Sequence, residues 1–186
     1  YKAEAVPVGE DQVQHLEITR DIARRFNAKF GKTFPEPKPI LTEAARVMSL
    51  SDPNKKMSKS HGPKSYIALN DSPKVIEEKI RSAVSDPGGK GPGGENLLSI
   101  FKSFAVTSGQ KTEYEQFNKD HNAGKLMYSK FKPRLTELIS DYFAEYRKEH
   151  GKLIKDPDYI KKVLEEGAAT ASPVAQKTLD EVNKKI

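Results

Sequence analysis

The chain has 186 residues, of which 31% are charged and only 35% are hydrophobic, and its net charge is +6. The absence of cysteine excludes disulfide bonds and thiolate metal sites, and no apolar run approaches the roughly 20 residues that a membrane-spanning helix needs. We therefore expect no membrane partner, and the positive charge favours a polyanionic one.

The first predicted elements are a strand, a glycine turn and a helix. Ala5–Val8 is a short apolar run that predicts a buried strand, and Gly9 turns the chain after it. Ile18, Ile22 and Phe26 follow at helical spacing, with Leu16 and Ala23 beside them. A strand, a glycine and a helix in this order are typical of the carboxyl edge of an open α/β sheet, where ligands bind.

Two polar residues follow Gly9 at this expected edge. Asp11 and Gln12 offer a carboxylate and an amide, which are suitable partners for ribose hydroxyls. Asp is also a common helix N-cap, and spacing alone leaves both interpretations of Asp11 open. His15 lies early in the same helix, but no cluster with metal-ligand spacing surrounds it. We assign His15 no role and predict no metal site.

A lysine-rich loop follows an extended connector and a second short strand. The prolines of residues 33–39 predict the connector, and Val47–Leu50 predicts the strand. Lys55–Ser60 then lies between turn-forming residues and the helix-breaking run His61–Pro63. Lysine ammonium groups and serine hydroxyls suit phosphate oxygens, so this loop can stabilise charge on a departing pyrophosphate. A solvated surface or a nucleic-acid patch is the alternative for a short basic run.

The order of residues in the loop indicates a family. Lys56–Ser60, which reads Lys-Met-Ser-Lys-Ser, resembles the second signature of the class I aminoacyl-tRNA synthetases. Residues 6–15 are similar to the matching segment of the tryptophanyl-tRNA synthetases, and the order and separation of the two segments also match that family. The resemblance is close from Val6 to about Asp86 and continues more loosely to Ala168.

The resemblance implies a role for individual residues of these segments. Lys56 and Lys59 are implied to be the catalytic lysines that contact the triphosphate. Val47 would contribute its backbone to the adenine site, and Met57 would pack near the adenine. The residues implied to bind ATP are Gly9, Glu10, Asp11, Gln12, Val47, Lys56, Met57, Ser58, Lys59 and Ser60, and those implied to line the tryptophan pocket are Val6 and Val8. Core packing is the alternative role of the two valines, and both roles can hold.

From Ser72 onward the periodicity predicts helices only. Ser72-Pro73 predicts a helix start, and the glycine-rich run Asp86–Gly94 predicts a mobile loop. Thr112 and Glu115 have the spacing of a capping box, and one long helix is predicted along an apolar stripe over residues 131–146. The remaining boundaries are a predicted start at Asp156-Pro157 and a predicted restart or kink at Ser172-Pro173.

These elements predict a mostly α fold. The resemblance implies that residues 1–71 are the C-terminal edge of a class I Rossmann α/β catalytic domain with the lysine loop. It also implies that residues 72–186 are an α-helical bundle that binds the tRNA anticodon. The first class I signature, a His-Ile-Gly-His-type sequence, does not occur, and the chain opens at Tyr1 without an initiator Met. We therefore expect a fragment that is inactive alone.

The function implied by the resemblance is that of a tryptophan–tRNA ligase, which forms tryptophanyl-adenylate and then charges its tRNA. The implied ligands are ATP with Mg²⁺, tryptophan and the tryptophan tRNA, and the implied setting is a homodimer in the bacterial cytoplasm or the mitochondrial matrix. One alternative is a tyrosyl-tRNA synthetase, whose corresponding segment reads Gly-Gly-Ser-Asp-Gln and whose lysine loop is usually degenerate. The other is a truncated synthetase paralogue that acts as an RNA-binding module.

Overall fold

A computed structural model describes residues 1–41, 47–87, 90–106 and 108–186, with Asp11 described by its backbone alone. The strands are β1 (Ala5–Val8) and β2 (Lys38–Leu41), and the helices are α1 (Val13–Phe30), α2 (Pro73–Ser82), α3 (Pro92–Ala105), α4 (Lys111–Asn122), α5 (Tyr128–Tyr142), α6 (Ala144–Leu153) and α7 (Pro157–Asn183). The prediction of a mostly α fold is confirmed. Within the described ranges, no helix has the length and apolar character needed to cross a membrane.

The chain folds as two compact units. The first unit comprises Tyr1–Ala45 and Leu153–Ile186, and the second comprises Arg46–Lys152. The domain boundary predicted between residues 71 and 72 concerns the domains of the family and stays a prediction. The lysine loop thus belongs to the same compact unit as α2, α3, α4 and α5.

The first unit contains a two-stranded parallel sheet. The predicted strand over residues 5–8 is confirmed as β1, and it pairs with β2 in a register that joins Val6 to Pro39 and Val8 to Leu41. Its predicted burial is wrong: Ala5 and Pro7 are exposed and Val6 and Val8 are half-buried, because alternate residues of a strand point to opposite faces and only one face is partly covered. Pro39 therefore lies in a strand, whereas the sequence predicted an extended connector over residues 33–39. A strand with a neighbour on one side tolerates proline, because alternate N–H groups of such a strand have no ladder partner.

Helix α1 buries a different face from the one that its isoleucines predict. It ends at Gly31, whose φ of +81° favours glycine. Leu16 and Ala23 are the buried residues of α1, whereas Ile18 and Ile22 are 52% and 64% exposed. Leu16 and Ala23 lie seven residues apart, which also places them on one helix face. The predicted stripe through the two isoleucines is therefore not the buried one in this unit.

Helix α7 is continuous across Pro173. Its predicted start is confirmed, since Asp156 Oδ1 accepts a hydrogen bond from the Tyr159 N–H at 2.9 Å. The sequence predicted a restart or a kink at Pro173. The restart is wrong, because a helix can accommodate one proline when it forgoes one backbone hydrogen bond, and the kink stays a prediction. All residues of α7 are described, and none of them is buried. Just beyond it, Lys185 Nζ donates to the Lys32 carbonyl at 3.0 Å.

The second unit has a hydrophobic core between α2, α3, α4 and α5. Phe101 of α3 and Phe131 of α5 are fully buried with ring centroids 5.8 Å apart, and Phe117 of α4 packs edge-on against both rings. Helix α2 contributes Ile76, as its periodicity predicts. Leu50, in the segment before the lysine loop, belongs to the same core and is 1% exposed. The core therefore extends to the base of the loop.

The start of α3 requires glycine. Gly93 and Gly94 are helical and buried, although the sequence predicted that they lie in a mobile loop. A Cβ atom on Gly94 would lie 2.8 Å from the His121 ring and 2.8 Å from the Tyr128 hydroxyl. Gly94 therefore allows the backbone of α3 to approach α4 and α5 closely. Gly93, on which a Cβ atom would lie 2.7 Å from the Val84 carbonyl oxygen, allows a close approach to the segment between α2 and α3. Gly88-Gly89 of the same predicted loop lies outside the described residues.

Two further helix predictions are wrong. Thr112 is not an N-cap, because α4 begins at Lys111 and Gln110 occupies the N-cap position, two residues before the predicted cap. The single long helix predicted over residues 131–146 is two helices, α5 and α6, which are separated at Phe143 (φ −96°, ψ 10°). The centroids of the Phe143 and Phe104 rings lie 5.6 Å apart, so the apolar stripe continues through the break. Hydrophobic periodicity therefore cannot reveal the break.

Lys79 of α2 is buried, although the polarity of this helix predicts that it is solvated. The residue is 8% exposed, and its Nζ donates to Asp71 Oδ2 at 2.6 Å. The same ammonium group lies 4.7 Å from the centroid of the Tyr66 ring. This ion pair fixes the segment that leads from the lysine loop back into α2.

Candidate active site

The base of the lysine loop is a short ladder of backbone hydrogen bonds. Two hydrogen bonds join residues 47–49 to residues 55–57: one from the Ser49 N–H to the Lys55 carbonyl (2.8 Å) and one from the Met57 N–H to the Val47 carbonyl (3.1 Å). Together they form an antiparallel bridge in which Met48 lies opposite Lys56. This bridge stands where the sequence predicted a strand over residues 47–50, so that prediction is wrong in extent. The ladder holds the two arms of the loop together.

A tight turn connects the two arms. The Lys55 N–H donates to the Asp52 carbonyl at 3.0 Å, and the Asn54 N–H donates to Asp52 Oδ1 at 3.1 Å. Lys55 Nζ lies 3.0 Å from Asp52 Oδ2, and this hydrogen bond holds the pKa of the Asp52 carboxyl below its usual value. The ammonium group of Lys55 therefore forms an ion pair within the turn. Lys55 lies just before the signature, and this pairing gives it a local structural role.

The signature segment ends in a second turn. Ser58 Oγ accepts a hydrogen bond from the Ser60 N–H at 3.3 Å and lies 2.7 Å from Ser60 Oγ, and residues 59–61 form a 3-10 turn. Gly62 follows with φ +89°, a conformation that favours glycine. The two serine hydroxyls are thus bonded to each other, so a phosphate oxygen that binds one of them must share or replace that bond.

Ser65 connects the signature segment to the core of the second unit. Its side chain is fully buried, and its Oγ lies 2.7 Å from the carbonyl oxygens of both Ser58 and Gly62. A hydroxyl has one proton, so it donates to one of these carbonyls at a time. The Ser65 carbonyl accepts from the Leu50 N–H at 3.0 Å. Two consecutive hydrogen bonds therefore join Ser58 to the buried Leu50.

The predicted catalytic lysines are exposed on this supported backbone. Lys56 and Lys59 are exposed, whereas Met57 between them is half-buried and packs against the hydrophobic core. Two ammonium groups on long, mobile side chains can follow phosphate oxygens as charge moves onto a leaving group. The predicted contact of Met57 with adenine stays a prediction.

Sequence reasoning missed Ser65 and also Asn96, which is 6% exposed on α3. The Asn96 side chain accepts from the Met48 N–H at 3.1 Å and donates to the carbonyls of Met48 at 3.0 Å and Ser49 at 3.1 Å. The signal for Asn96 is its position on the buried stripe of α3, one turn before Ile100. A polar side chain there must have buried partners, but its spacing does not say which ones.

The other predicted segment lies in the first unit and is held by local contacts. After β1, residues 10–12 form a 3-10 turn in which the Gln12 N–H donates to the Gly9 carbonyl at 2.9 Å, and Glu10 and Gln12 are exposed. Gln12 Oε1 lies 3.0 Å from His15 Nδ1. The Asp11 side chain lies outside the described residues, so its ATP contact and its capping role both stay predictions.

The two valines predicted to form the tryptophan pocket are half-buried in β1. Val6 lines a cavity of about 330 Å³ in the first unit, together with Leu16, Ala23 and Phe34. Val8 is not among the residues that line this cavity. An apolar cavity of this kind suits an apolar group, and the assignment of Val6 and Val8 to an indole pocket stays a prediction.

Comparisons with known proteins identify the family of the chain. Residues 1–144 match the family described as tRNA synthetases class I (W and Y), so the chain belongs to this family. The tryptophan–tRNA ligase of Clostridium tetani is 43% identical to it over 194 residues, which is 100% of this chain and 55% of the relative. The chain thus spans about half the length of the curated relatives that it matches. The resemblance to the tryptophanyl-tRNA synthetases is confirmed.

Solved structures show the same likeness. The tryptophanyl-tRNA synthetase of Mycoplasma pneumoniae superposes with a TM-score of 0.79 at 31% identity, over 97% of this chain and 57% of that one. The tryptophanyl-tRNA synthetase of Campylobacter jejuni, complexed with ADP and tryptophan, gives a TM-score of 0.71 at 33% identity, over 100% of this chain and 57% of that one. The class I synthetase fold is therefore established for this chain.

Proposed function

We propose that this chain is the carboxyl-terminal part of a tryptophan–tRNA ligase. The observation that carries the proposal is the lysine loop: Lys56 and Lys59 are exposed on a backbone that is bonded to a hydrophobic core. Proteins named tryptophan–tRNA ligase, 37–43% identical to the chain, support the choice of amino acid. The likeness to a solved structure complexed with ADP and tryptophan supports binding of a nucleotide and tryptophan.

In the proposed reaction the carboxylate of tryptophan attacks the α-phosphorus of ATP. A bond forms between the carboxylate oxygen and this phosphorus, and the bond to the bridging oxygen of the leaving pyrophosphate breaks. Negative charge grows on the pyrophosphate, and the ammonium groups of Lys56 and Lys59 stabilise it electrostatically. The protein supplies position and charge and forms no covalent bond to the substrate.

The remaining residues complete this proposal. Gly9, Glu10 and Asp11 would line the adenosine side of the site, with Gln12 as a polar neighbour. Val47 would contribute its backbone to the adenine, and Ser58 and Ser60 would donate to phosphate oxygens. Mg²⁺ would arrive with the ATP and neutralise part of its charge. Residues 1–71 would form the C-terminal edge of a Rossmann catalytic domain, and residues 72–186 an anticodon-binding bundle. Dimerisation and the cytoplasm as its location complete the proposal.

The test is amino acid-dependent exchange of pyrophosphate into ATP by the longest natural polypeptide that contains this sequence. We expect exchange with tryptophan and none with tyrosine. Lys59→Ala should reduce the rate about 10²- to 10³-fold, because it removes a charge that acts mainly in the transition state. Lys64→Ala is the matched control, since Lys64 is an exposed lysine just beyond the signature, and its rate should stay within about threefold.

The alternatives give different results in the same assay. Exchange with tyrosine alone would assign the protein to the tyrosyl branch. Binding of RNA without exchange for either amino acid would favour an RNA-binding paralogue. Equal rates for the Lys59 and Lys64 variants would contradict the role of the signature lysine. We expect the 186-residue chain alone to show no exchange.

A further inference from the structure

Asn96 makes the contacts between α3 and the arm of the chain that enters the lysine loop. Its buried amide group bonds the N–H and the carbonyl of Met48 and the carbonyl of Ser49, at 3.0–3.1 Å. The Met48 and Ser49 backbones lie 48 and 47 residues away in sequence from Asn96. Three bonds from one rigid side chain determine both the position and the direction of this short backbone segment.

The path from Asn96 to the signature lysines is short. Met48 is paired with Lys56 in the antiparallel bridge, and the Ser49 N–H donates to the Lys55 carbonyl at 2.8 Å. Lys56 is therefore one backbone pairing away from the residue that Asn96 holds. A displacement of residues 48–49 would move the backbone that carries the lysines by a similar amount, because the ladder joins the two arms.

Asn96 is itself firmly placed. It follows Gly94, whose backbone packs so closely on α4 and α5 that a Cβ atom would lie 2.8 Å from the His121 ring and the Tyr128 hydroxyl. The Gly94 N–H also donates to Asp86 Oδ2 at 2.7 Å. The start of α3 is thus fixed by contacts on two sides, and Asn96 transmits this position to the loop.

We propose that Asn96 is a positioning residue of the amino acid activation step, which sets the place of Lys56 and Lys59 by bonding the backbone of Met48 and Ser49. The proposal rests on the proposed function for its kinetic consequence, and on the hydrogen bonds alone for its effect on the loop. Asn96 touches no substrate in this role. It acts through residues 48–49 and the ladder to residues 55–57.

The first experiment measures how readily the backbone of the lysine loop opens in the 186-residue chain. Trypsin cleaves after exposed lysines when the backbone opens locally, so mass spectrometry can follow cleavage after Lys55, Lys56 and Lys59. We expect Asn96→Ala to be cleaved about 10-fold faster there than the unaltered chain. The control is Asn122→Ala, which changes an exposed asparagine of α4 in the same unit and should leave cleavage unchanged.

Asn96→Asp is the second variant, and it keeps the size of the side chain. A carboxylate oxygen can still accept from the Met48 N–H, but it faces the carbonyls of Met48 and Ser49 without a proton to donate. Relative to the Asn122→Ala variant at the same pH, which corrects for the lower activity of trypsin in acid, cleavage in the loop should therefore be fast near neutral pH and should slow as the pH is lowered, since a protonated carboxyl regains one donor. This recovery keeps the test valid if Asn96→Ala does not fold.

The second experiment measures activation kinetics in the longest natural polypeptide that contains the sequence. Asn96→Ala should lower kcat for tryptophan-dependent exchange about 10- to 100-fold with little change in the KM for tryptophan, because misplaced catalytic groups lose rate in the transition state. In a Lys56→Ala/Lys59→Ala background the same substitution should lower kcat less than threefold, because the groups that it positions are gone. A purely structural role would give the same loss in both backgrounds.

The outcomes separate this inference from the proposed function. Faster cleavage in the loop for the Asn96 variants supports the positioning role even if the unaltered protein shows no exchange, which would overturn the proposed function alone. Exchange by the unaltered protein with equal kcat in Asn96→Ala overturns the inference alone. Equal cleavage rates for the Asn96 and Asn122 variants also overturn the inference.

Discussion

The two compact units differ in how they hold their parts of the candidate site. In the second unit, the lysine loop is bonded to residues distant in sequence, as in the contacts of Asn96 and Ser65, and it adjoins a hydrophobic core of four helices. In the first unit, the segment after β1 is held by a turn and by a side-chain contact three residues away. Leu16 and Ala23 are the buried hydrophobic residues of that unit within the described ranges.

The difference shows which contacts determine the conformation of each segment. The lysine loop takes its position from packing inside its own unit, so substitutions far from Lys56 and Lys59 should alter it. The described contacts of residues 9–12 are with near neighbours in sequence, the Gly9 carbonyl and the His15 ring. Four experiments test this contrast, starting with the substitution that should cost the most free energy.

Removing the buried partner of Lys79 should have the largest effect. Asp71→Ala leaves the Lys79 ammonium, in a residue 8% exposed, without its carboxylate, and we expect the free energy of unfolding to fall by about 3 kcal/mol. Urea unfolding followed by circular dichroism measures the change. Asp141→Ala, at an exposed position of α5, is the control and should change it by less than about 0.5 kcal/mol. Equal effects of the two substitutions would contradict the importance of the ion pair.

A pair of glycine substitutions compares the two units directly. Gly94→Ala places a Cβ atom against His121 and Tyr128 and should lower the free energy of unfolding by about 2 kcal/mol. Gly167→Ala lies in α7, where a Cβ atom meets nothing within 4 Å, and should raise helix stability by about 0.5–1 kcal/mol. Thermal unfolding of both variants measures the effects. Changes of the same sign would remove the contrast in packing.

Ser65→Ala tests the connection below the signature segment. The substitution removes the hydroxyl that bonds the Ser58 and Gly62 carbonyls, and we expect a loss of about 1 kcal/mol in the free energy of unfolding. Ser103→Ala removes an exposed hydroxyl that bonds the Ser99 carbonyl within α3, so it is the control and should cost less than about 0.5 kcal/mol. A Ser65 variant as stable as the Ser103 variant would show that the connection contributes little.

The smallest effect concerns the turn between the two arms. Lys55 lowers the pKa of Asp52, so the stabilising contribution of this contact is present above the ordinary aspartate pKa of about 3.9 and is lost as the pH falls through the lower folded value. Lys55→Ala should raise the pKa of Asp52 toward its ordinary value. An NMR titration of the Asp52 carboxyl carbon measures it, and Lys64→Ala should leave it unchanged. An unchanged pKa in the Lys55 variant would show that the ion pair does not form.

Three features that depend on neighbouring residues were predicted correctly from the sequence, although the cap at Thr112 and the restart at Pro173, which are also local, were not. The start of α2 is an example, because Ser72 Oγ accepts from the Val75 N–H and proline occupies the first helical position. The start of α7 at Asp156 and the strand β1 are confirmed for the same reason. The Lys-Met-Ser-Lys-Ser order also led to the family, since a short signature is read without knowledge of the fold.

Features that depend on distant partners were not predictable. Lys79 looks like a solvated helix residue until Asp71 and Tyr66 are placed beside it. The buried amide of Asn96 could have been expected to bond something, but the Met48 backbone is known as its partner only from the folded chain. Gly94 was predicted to lie in a mobile loop, because its close approach to α4 and α5 cannot be inferred from the spacing of residues in the sequence. In these three cases the cause is the same: burial against distant partners overrides local propensity.

Amide hydrogen exchange of the 186-residue chain tests most directly the claim that the second unit preforms the lysine loop. The N–H groups of Ser49, Leu50 and Met57, all bonded to carbonyls at the loop base, should exchange at least about 10-fold more slowly than the Gln12 N–H, which is bonded across one local turn. That result would show that the base of the loop is formed without substrate. Equally rapid exchange at all four positions would contradict the claim, because the loop would then lack a fixed base.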